Sequence, residues 1–456
     1  MSSIHDFATW EPLLRLVRDS HAEQLAALGG YFSGQIGLGS WTLPAPQPHP
    51  MPGRSLQVAD MQEQFTAVER VQDALRADGM SGVSYMVETA PDGRTLLHVV
   101  DLGPAVEHGV VSPFVGALLL VESAVPEPWR RLPEEVPGVT PAPSADPALL
   151  ERTLRERLPD AIGASEAEIA EAEARLGVAL PDELKALYRV CRARWQDWSG
   201  DYAAQERVSE AVGCELFSLD GLYVADAASR PCPWQFAADD AVVTSPDAAV
   251  QGLVGSPGWI VFGDNGGGDR LAVDLTPGPG GHTGQVIVID HEQTIGAGLR
   301  ADSLTAMVID RPSGWRQDRE ADGPPAVARV NTHYLASVEA AAHPELEVLG
   351  IGWRNGEPVS LAPVAGLPRL RTLTAIPGTL ADPLEIAGLK GLEYLSLGPE
   401  EWRVLLDAGA VPRSLSAAGI EVQGEQHPLP ILDLANELLA LWDRPLIGRT
   451  VLDAGR

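Results

Sequence analysis

Two residue types are scarce in this chain of 456 residues. Lysine occurs only at Lys185 and Lys390, and cysteine only at Cys191, Cys214 and Cys232. The cysteines are odd in number and lack metal-ligand spacing, which favours a reducing compartment and no disulfide framework. None has a recognisable Cys-His setting, and the sequence has no GxSxG elbow. Nucleophilic catalysis of these familiar kinds is therefore not expected.

Positive charge and long apolar segments are also lacking. The chain has 33 Lys+Arg against 63 Asp+Glu, a formal charge of −30, and residues 141–313 alone have 13 against 27. Such acidity argues against binding to nucleic acid phosphates, and fits a protein kept soluble by repulsion or one with a basic partner. The longest apolar stretch, 114–121, is far too short for a membrane span, and no secretory signal begins the chain. We therefore expect a cytoplasmic protein that binds neither nucleic acid nor membrane.

Length and proline-rich segments predict several domains, since 456 residues exceed one hydrophobic core. Residues 1–132 form a predicted α+β module with no motif that indicates a chemistry. Five prolines mark a linker at 133–147, and a second linker is predicted at 313–332. The domains that these linkers separate are predicted at 148–312 and 333–456.

Local patterns predict individual elements. Apolar spacing indicates helices at 7–28 and about 61–78, followed by a β-hairpin with its turn at 91–93. Ser165 and Glu168 form a capping-box pair, and Gly177 supplies the left-handed end of the helix that follows it.

The most informative segment is IVFGDNGGGDRLAVDL, residues 260–275, followed by QVIVID. Leu271 and Val273 alternate with Arg270, Ala272 and Asp274, which predicts a strand with one buried face. The glycines at 263–268 resemble a phosphate cradle. A cradle needs a helix directly after the loop, whereas here a strand follows and no lysine is near. A strand-to-strand turn that uses the positive φ of glycine is the favoured interpretation.

Four aspartates in and beyond this segment suggest a metal or paired-carboxylate site: Asp264, Asp269, Asp274 and Asp290. Asp264-Asn265 is ordinary turn chemistry, the acidic positions of a calcium loop are missing, and Asp269 and Asp274 have opposite strand parity. His282 and His291 could face each other across a hairpin, but a loop histidine and a strand-end histidine are favoured. We predict no catalytic, cofactor or metal site.

Aromatic residues cluster after the helix at 182–190. Trp195 and Trp198, with Tyr202, could form a partner-binding patch, although helix-end aromatics that cover a core are favoured.

An internal repeat occupies the C-terminal region. LEVLGI begins at Leu346, LRTLTA at Leu370 and LEYLSL at Leu392, spacings of 24 and 22 residues. The period and the LxxLxL core resemble leucine-rich repeats, in which each unit adds a strand to a solenoid. The expected asparagine is missing from each copy. A short, irregular stack is therefore predicted, docked on the rest of the chain or capped by 429–443.

The middle region resembles the SUKH superfamily, which includes the fungal cell-wall assembly regulator and many bacterial toxin-immunity proteins. The resemblance covers about 160–310, and residues 191–257 are longer than expected and could hold an insertion. The matching motif positions are Leu176, Gly177, Leu180, Pro181, Leu184, Tyr188, Phe262, Gly263, Gly266, Gly268, Asp269 and Asp274. The resemblance implies an α+β fold with a mixed sheet flanked by helices, no enzymatic activity, and function through protein partners.

The predicted fold is thus multidomain α+β: an N-terminal module, a SUKH-like domain and a leucine-rich-like domain. The predicted function is non-enzymatic protein binding, as an immunity protein against a basic toxin domain or as a scaffold or regulator. The residues put forward for partner contact or as motif are Trp195, Trp198, Trp259, Asp264, Asn265, Asp269 and Asp274. Two alternatives stay open: an enzyme with its site around Asp264, Asp269 and His291, and a regulator whose N-terminal module binds a ligand.

Overall fold

The computed structural model describes residues 3–18, 21–26, 30–44, 61–90, 94–107, 118–121, 125–198, 201–241, 244–316, 326–423 and 426–453. The turn predicted at 91–93 and part of the second predicted linker, 317–325, lie outside these ranges. The α-helices are α1 Phe7–Arg18, α2 Ala22–Ala26, α3 Gln62–Asp78, α4 Glu127–Arg130, α5 Pro147–Arg157, α6 Glu166–Leu176, α7 Asp182–Val190, α8 Tyr202–Val212, α9 Trp234–Ala238, α10 Leu304–Asp310, α11 Val338–Ala341, α12 Pro399–Asp407 and α13 Pro428–Leu441.

The strands form three sheets. They are β1 Tyr31–Gly37, β2 Trp41–Thr42, β3 Gly82–Thr89, β4 Thr95–Asp101, β5 Val106–Glu107, β6 Leu118–Leu120, β7 Glu215–Leu216, β8 Tyr223–Val224, β9 Trp259–Asp264, β10 Arg270–Asp274, β11 Gln285–Ile289, β12 Gly298–Ala301, β13 Val327–Val330, β14 Val348–Ile351, β15 Thr372–Ala375, β16 Tyr394–Leu397, β17 Ala417–Ile420 and β18 Gly448–Asp453. The predicted multidomain α+β class is confirmed.

The N-terminal sheet has the order β18-β4-β3-β1-β2, with antiparallel neighbours. The predicted hairpin is confirmed as β3-β4, and the second predicted helix as α3, which ends at Gly79 with φ 72°. Side chains of α1 and α3 pack on one face of this sheet. Strand β18 pairs with β4, so segments that are far apart in the sequence share one sheet.

The middle sheet has the order β12-β11-β10-β9-β7, and β8 also pairs with β9. The resemblance implied a mixed sheet here, but every pairing described within it is antiparallel. Short turns at 265–269 and 275–284 join β9 to β10 and β10 to β11, and connections this short can join only antiparallel neighbours.

Both faces of the middle sheet are buried, so the prediction of one buried face for β10 was wrong. Helices α5, α6, α7, α8 and α10 cover one face, where Phe262 and Leu271 lie. Apolar residues within 225–256 cover the other, where Trp259 and Ala272 lie. The alternation of residues along β10 predicted a solvent-exposed second face because Ala272 and Asp274 are not strongly apolar. Alanine nevertheless fits a buried face, and the carboxylate of Asp274 is hydrogen-bonded there.

The C-terminal sheet has the order β13-β14-β15-β16-β17-β6-β5. Strands β13 to β17 are parallel, and the repeat supplies β14, β15 and β16 in successive register. Leu349, Leu373 and Leu395 point into one core, which α13 helps to close. The free edge of β17 is paired by β6, an antiparallel strand from the N-terminal region.

Glutamate carboxylates accept hydrogen bonds from some of the loop amides that an asparagine ladder would otherwise bind. The amide of Gly378 donates to Glu401 Oε1 at 2.6 Å, and the amide of Leu361 donates to Glu385 Oε2. Each acceptor comes from a segment about one repeat further along the chain. The stack is therefore parallel and regular in strand register without the asparagine, and its assignment to leucine-rich repeats stays a prediction.

Candidate functional site

The glycine-rich hairpin loop between β9 and β10 is held by its own side chains. Asp264 Oδ1 accepts from the amides of Gly266 at 2.6 Å and Gly268 at 3.3 Å, and Asp264 Oδ2 pairs with Arg270. Gly266 and Gly268 have φ of 84° and 105°, in the left-handed region that favours glycine. The amides that would cradle a phosphate thus already have a carboxylate acceptor, as the turn interpretation requires.

Asn265 and Asp269 close the same loop. Asn265 Oδ1 accepts from the amides of Gly267 at 2.7 Å and Asp269 at 3.1 Å, while Asn265 Nδ2 donates to Asp269 Oδ2 at 2.6 Å. Asp264 and Asn265 therefore make their described side-chain hydrogen bonds within the hairpin, and so does Oδ2 of Asp269.

Asp269 also binds His291, which follows β11. The His291 Nδ1 to Asp269 Oδ1 distance is 2.7 Å, and the His291 amide donates to the same oxygen at 3.2 Å. This hydrogen bond and the charge of Asp269 raise the pKa of His291. Partial burial alone would raise the pKa of Asp269, but the hydrogen bonds and charge of His291 outweigh it and lower that pKa. His282 precedes β11, at the opposite end of the strand, so the two histidines do not face each other.

Asp290 lies beside this pair. One ligand atom each from Asp269, Asp290 and His291 lies within 4.8 Å of the others, so the three could hold a metal ion. The Asp290 carboxylate already accepts from the Glu292 amide at 2.8 Å and from Gln293 Nε2 at 3.1 Å. Sequence analysis put forward Asp269 and Asp290 as candidate carboxylates and His291 as part of an alternative enzyme site, but it did not group the three, because Asp269 is brought to the other two only by the pairing of β10 with β11.

Trp259 and Asp274 lie in the interior and cannot touch a partner. Both are 0% exposed, and they sit opposite each other in the β9–β10 register. Asp274 Oδ1 accepts from the Thr276 amide at 2.8 Å, and Oδ2 accepts from Gln285 Nε2 at 2.9 Å. Burial raises the pKa of Asp274 to about 6, although these hydrogen bonds favour the ionised form. The two residues fix the sheet rather than a binding surface.

The aromatic cluster lies at the surface of the middle region. The Trp195 ring is 6.2 Å from that of Trp198 and 5.0 Å from that of Tyr202, both edge to face. Trp198 packs partly against the core, as the covering interpretation predicts. Trp195 and Tyr202 do not, since they are 44% and 73% exposed.

Residues 163–310, which include the hairpin and the aromatic cluster, match the SMI1 / KNR4 family, SUKH-1. This region is a SUKH-1 domain. The match spans both halves of the motif that suggested the resemblance, the helical half at 176–188 and the sheet half at 262–274.

Two curated relatives agree with this assignment. The chain is 30% identical over 137 residues to a glucan synthesis regulatory protein of Neurospora crassa, covering 28% of this chain and 25% of that protein. It is 37% identical over 79 residues to a cell wall biosynthesis/cell cycle regulator of Schizosaccharomyces pombe, covering 16% of each. The chain therefore spans a quarter or less of each relative.

A buried charge ladder joins the SUKH-1 domain to the rest of the chain, and sequence reasoning missed it. Glu347 accepts from Arg131 Nη2 and Arg369 Nη2, each at 2.6 Å, and from Arg371 Nε at 3.2 Å. Arg371 Nη2 in turn donates to the carbonyl of Asp240 in the SUKH-1 domain at 2.6 Å.

A signal for this ladder was present in the repeat. Glu347, Arg371 and Glu393 each occupy the second position of their copy, directly before β14, β15 and β16. Parallel, in-register strands stack equivalent positions, so the opposite signs of Glu347 and Arg371 indicate the ion pair between them, whereas Glu393 pairs with Arg130 instead. Reading the repeat for its leucines alone concealed this.

Proposed function

We propose that the chain is a non-enzymatic cytoplasmic protein that acts by binding a basic protein partner. Its role would be that of a bacterial immunity protein that neutralises a toxin, or of a related scaffold or regulator. The observation that carries the proposal is the exposed aromatic cluster of Trp195, Trp198 and Tyr202 on an acidic SUKH-1 domain.

The chemistry of the cluster suits an interface. Large rings cost free energy when left in water, and tryptophan, tyrosine and arginine are enriched among the residues that dominate binding energy. Trp195 and Tyr202 contact each other edge to face, while Trp198 anchors the pair to the core. An arginine of a partner could stack on these rings and gain a cation–π contribution.

Charge around the cluster favours a basic partner. Asp201, Glu206 and Glu210 are exposed on or next to α8, the helix that carries Tyr202, against one exposed arginine on that helix, Arg207, which lies 3.7 Å from Asp201. Residues 141–313, which contain the cluster, carry 13 basic against 27 acidic side chains. Such a field speeds the encounter with a basic surface and discourages acidic competitors.

The comparisons support a binding role in general. SMI1/KNR4 proteins act through protein interactions, and the two curated relatives are named as regulators of glucan synthesis and of cell wall biosynthesis. The toxin-neutralising role rests on the wider SUKH resemblance and on the acidic charge.

A neutralisation assay tests the proposal. The product of a toxin gene adjacent to the gene for this chain would be expressed in a bacterial host, alone and with the chain. We expect the chain to restore growth and Trp195→Ala/Tyr202→Ala to restore it poorly. The matched control is Tyr334→Ala/Trp353→Ala, which removes one tyrosine and one tryptophan that are 73% and 68% exposed in the C-terminal region. Equal rescue by both double variants would contradict the role of the cluster.

A second candidate is a metal or ligand site at Asp269, Asp290 and His291, because the structure brings these groups together. No hydrogen bond described for the His291 ring goes to a hydroxyl or thiol that it could activate. Burial also raises the pKa of Cys191, and that of Cys214 to about 12, so these thiols are poor nucleophiles at neutral pH. Calorimetric titration with Zn²⁺ tests the candidate: saturable binding abolished by Asp269→Ala would support it, and weak binding unchanged by that substitution would reject it.

The described helices include none with the length and apolar character needed to cross a membrane.

A further inference from the structure

A polar cavity of about 220 Å³ lies where the SUKH-1 domain meets the parallel strands. Helix α9 of the domain packs on the outer face of these strands, with the Trp234 ring 6.5 Å from the Tyr394 ring. Thr372 Oγ1 donates to the carbonyl of Ala238 at 2.8 Å and fixes the end of the helix. The cavity is therefore built by two parts of the chain and held in place by hydrogen bonds.

Small side chains keep the sheet side of the cavity open. Gly350 of β14, Thr374 of β15 and Ser396 of β16 are consecutive partners in the parallel register and all line the cavity. A Cβ on Gly350 would lie 3.3 Å from Thr374 Oγ1, so even alanine would crowd this row. Hydroxyl groups on the floor can orient a polar ligand.

Three charged side chains face the cavity: Asp239 after α9, Glu421 after β17 and Arg329 on β13. Two carboxylates against one guanidinium leave a formal charge of −1. Arg371, which also lies near Asp239, is already paired with Glu347 at 3.2 Å. The cavity therefore lacks one positive charge.

The carboxylate of Asp239 likewise lacks a donor for one of its oxygens within the described ranges. Its Oδ1 is buried and has no hydrogen-bond partner among the described residues. Burial raises the pKa of Asp239 to about 6 and also raises the pKa of Glu421. A cation placed between these groups would offset the cost of their burial.

The remaining wall is partly apolar. Ile351, Ala375 and Ile376 line the cavity beside the Tyr394 ring. Such a wall suits the methylene stem of a lysine or arginine, whose charged end would reach the carboxylates.

We propose that this cavity binds an alkyl guanidinium or alkyl ammonium group, as found on arginine or lysine. Asp239 and Glu421 pair with the charge, Ser396 and Thr374 orient it, and the apolar wall contacts the stem. The site lies on different elements from the aromatic cluster, so the proposal stands whether or not that cluster binds a partner.

Calorimetric titration of the full chain tests the site with three probes: L-arginine methyl ester, L-citrulline methyl ester and a short peptide with one central arginine. Citrulline keeps the shape of the arginine side chain but carries a neutral urea group in place of the charged guanidinium. We expect saturable 1:1 binding of an arginine probe and none of citrulline. Binding of the peptide alone would assign the group to a protein side chain, binding of the ester alone to a free metabolite, and binding of both to recognition of the side chain by itself; each result supports a cation site.

Variants separate this site from general attraction to an acidic protein. Asp239→Asn and Glu421→Gln should each weaken binding about tenfold or more, the loss expected when a charged hydrogen bond is removed. Glu345→Gln, at a glutamate 50% exposed outside the cavity, is the matched control and should change nothing. Asp239→Asn should not unfold the chain, because Asp239 Oδ1 makes no hydrogen bond among the described residues that the substitution would break. Equal binding of arginine and citrulline, or equal effects of all three substitutions, would overturn the proposal.

Discussion

Replacing Glu347 by alanine should destabilise the junction between the SUKH-1 domain and the parallel strands by about 3–5 kcal/mol, the usual cost of breaking a buried ion pair. The Glu347 side chain is 2% exposed and accepts from three guanidinium groups. Arg371 is 6% exposed, and burial lowers its pKa even though Glu347 and Glu127 oppose this. Without Glu347, the closest carboxylate described for Arg371 is Glu127, at 3.7 Å.

Urea unfolding followed by tryptophan fluorescence measures this loss, since Trp234 lies at the same junction. Glu345→Ala is the matched control, because Glu345 also pairs with Arg369 but is 50% exposed, and an exposed pair contributes about 0–1 kcal/mol. If both alanine variants fell within about 1 kcal/mol of the wild type, the ladder would not hold the junction and the reasoning would be refuted.

Three further predictions concern the SUKH-1 domain. The pKa of Asp274 is about 6 in the folded chain against an ordinary 3.8, so protonation stabilises the fold as the pH falls between these values. Between pH 7 and pH 4, urea unfolding should show the free energy of unfolding of the wild type rising by up to about 3 kcal/mol relative to that of Asp274→Asn. Parallel pH profiles of the two proteins would contradict this. Gly268 has a φ of 105°, so Gly268→Ala should lower the free energy of unfolding by about 1–3 kcal/mol, measured by thermal unfolding. Gly267→Ala should lower it less, and equal losses in the two variants would refute the strain argument. The pKa of His291 by NMR titration should lie above 6.5 and fall in Asp269→Asn, and a value unmoved by the substitution would remove Asp269 as its cause.

Local chemistry was sufficient to predict several helix ends. The capping box of Ser165 and Glu168 is present in both directions, and Gly177 ends α6 with φ 71°. Each of these features depends on residues within one or two turns. Sequence therefore predicts them well, because the atoms that satisfy the helix ends are neighbours along the chain.

The repeat predicted strands but not their outer partners. Its period places β14, β15 and β16 in parallel register, since equal spacing brings equivalent residues together. The pairing of β6 with the edge strand β17 and the return of β18 to β4 were not predicted. A short strand carries its own alternation of side chains but no mark of the distant strand that will accept its hydrogen bonds.

For a similar reason, the predicted site residues fall into two groups, those in the hairpin and those in the interior. Asp264, Asn265 and Asp269 lie in the hairpin where their turn chemistry placed them. The burial of Trp259 and Asp274 depends on a cover formed by residues within 225–256, a segment that gave no clear pattern. Segments that are distant in sequence cover these residues, and the periodicity of the strand itself does not predict which polar residues remain exposed to solvent.

The most direct test of the proposed binding role is the affinity of the purified chain for a basic candidate partner, the product of any toxin gene that adjoins its own gene, measured by calorimetry with two double variants. Trp195→Ala/Tyr202→Ala should weaken binding about 30-fold or more, as two exposed aromatic anchors would. Asp269→Ala/His291→Ala should leave the affinity near that of the wild type. Loss of binding with the second variant and not the first would contradict the account and move the functional surface to the hairpin.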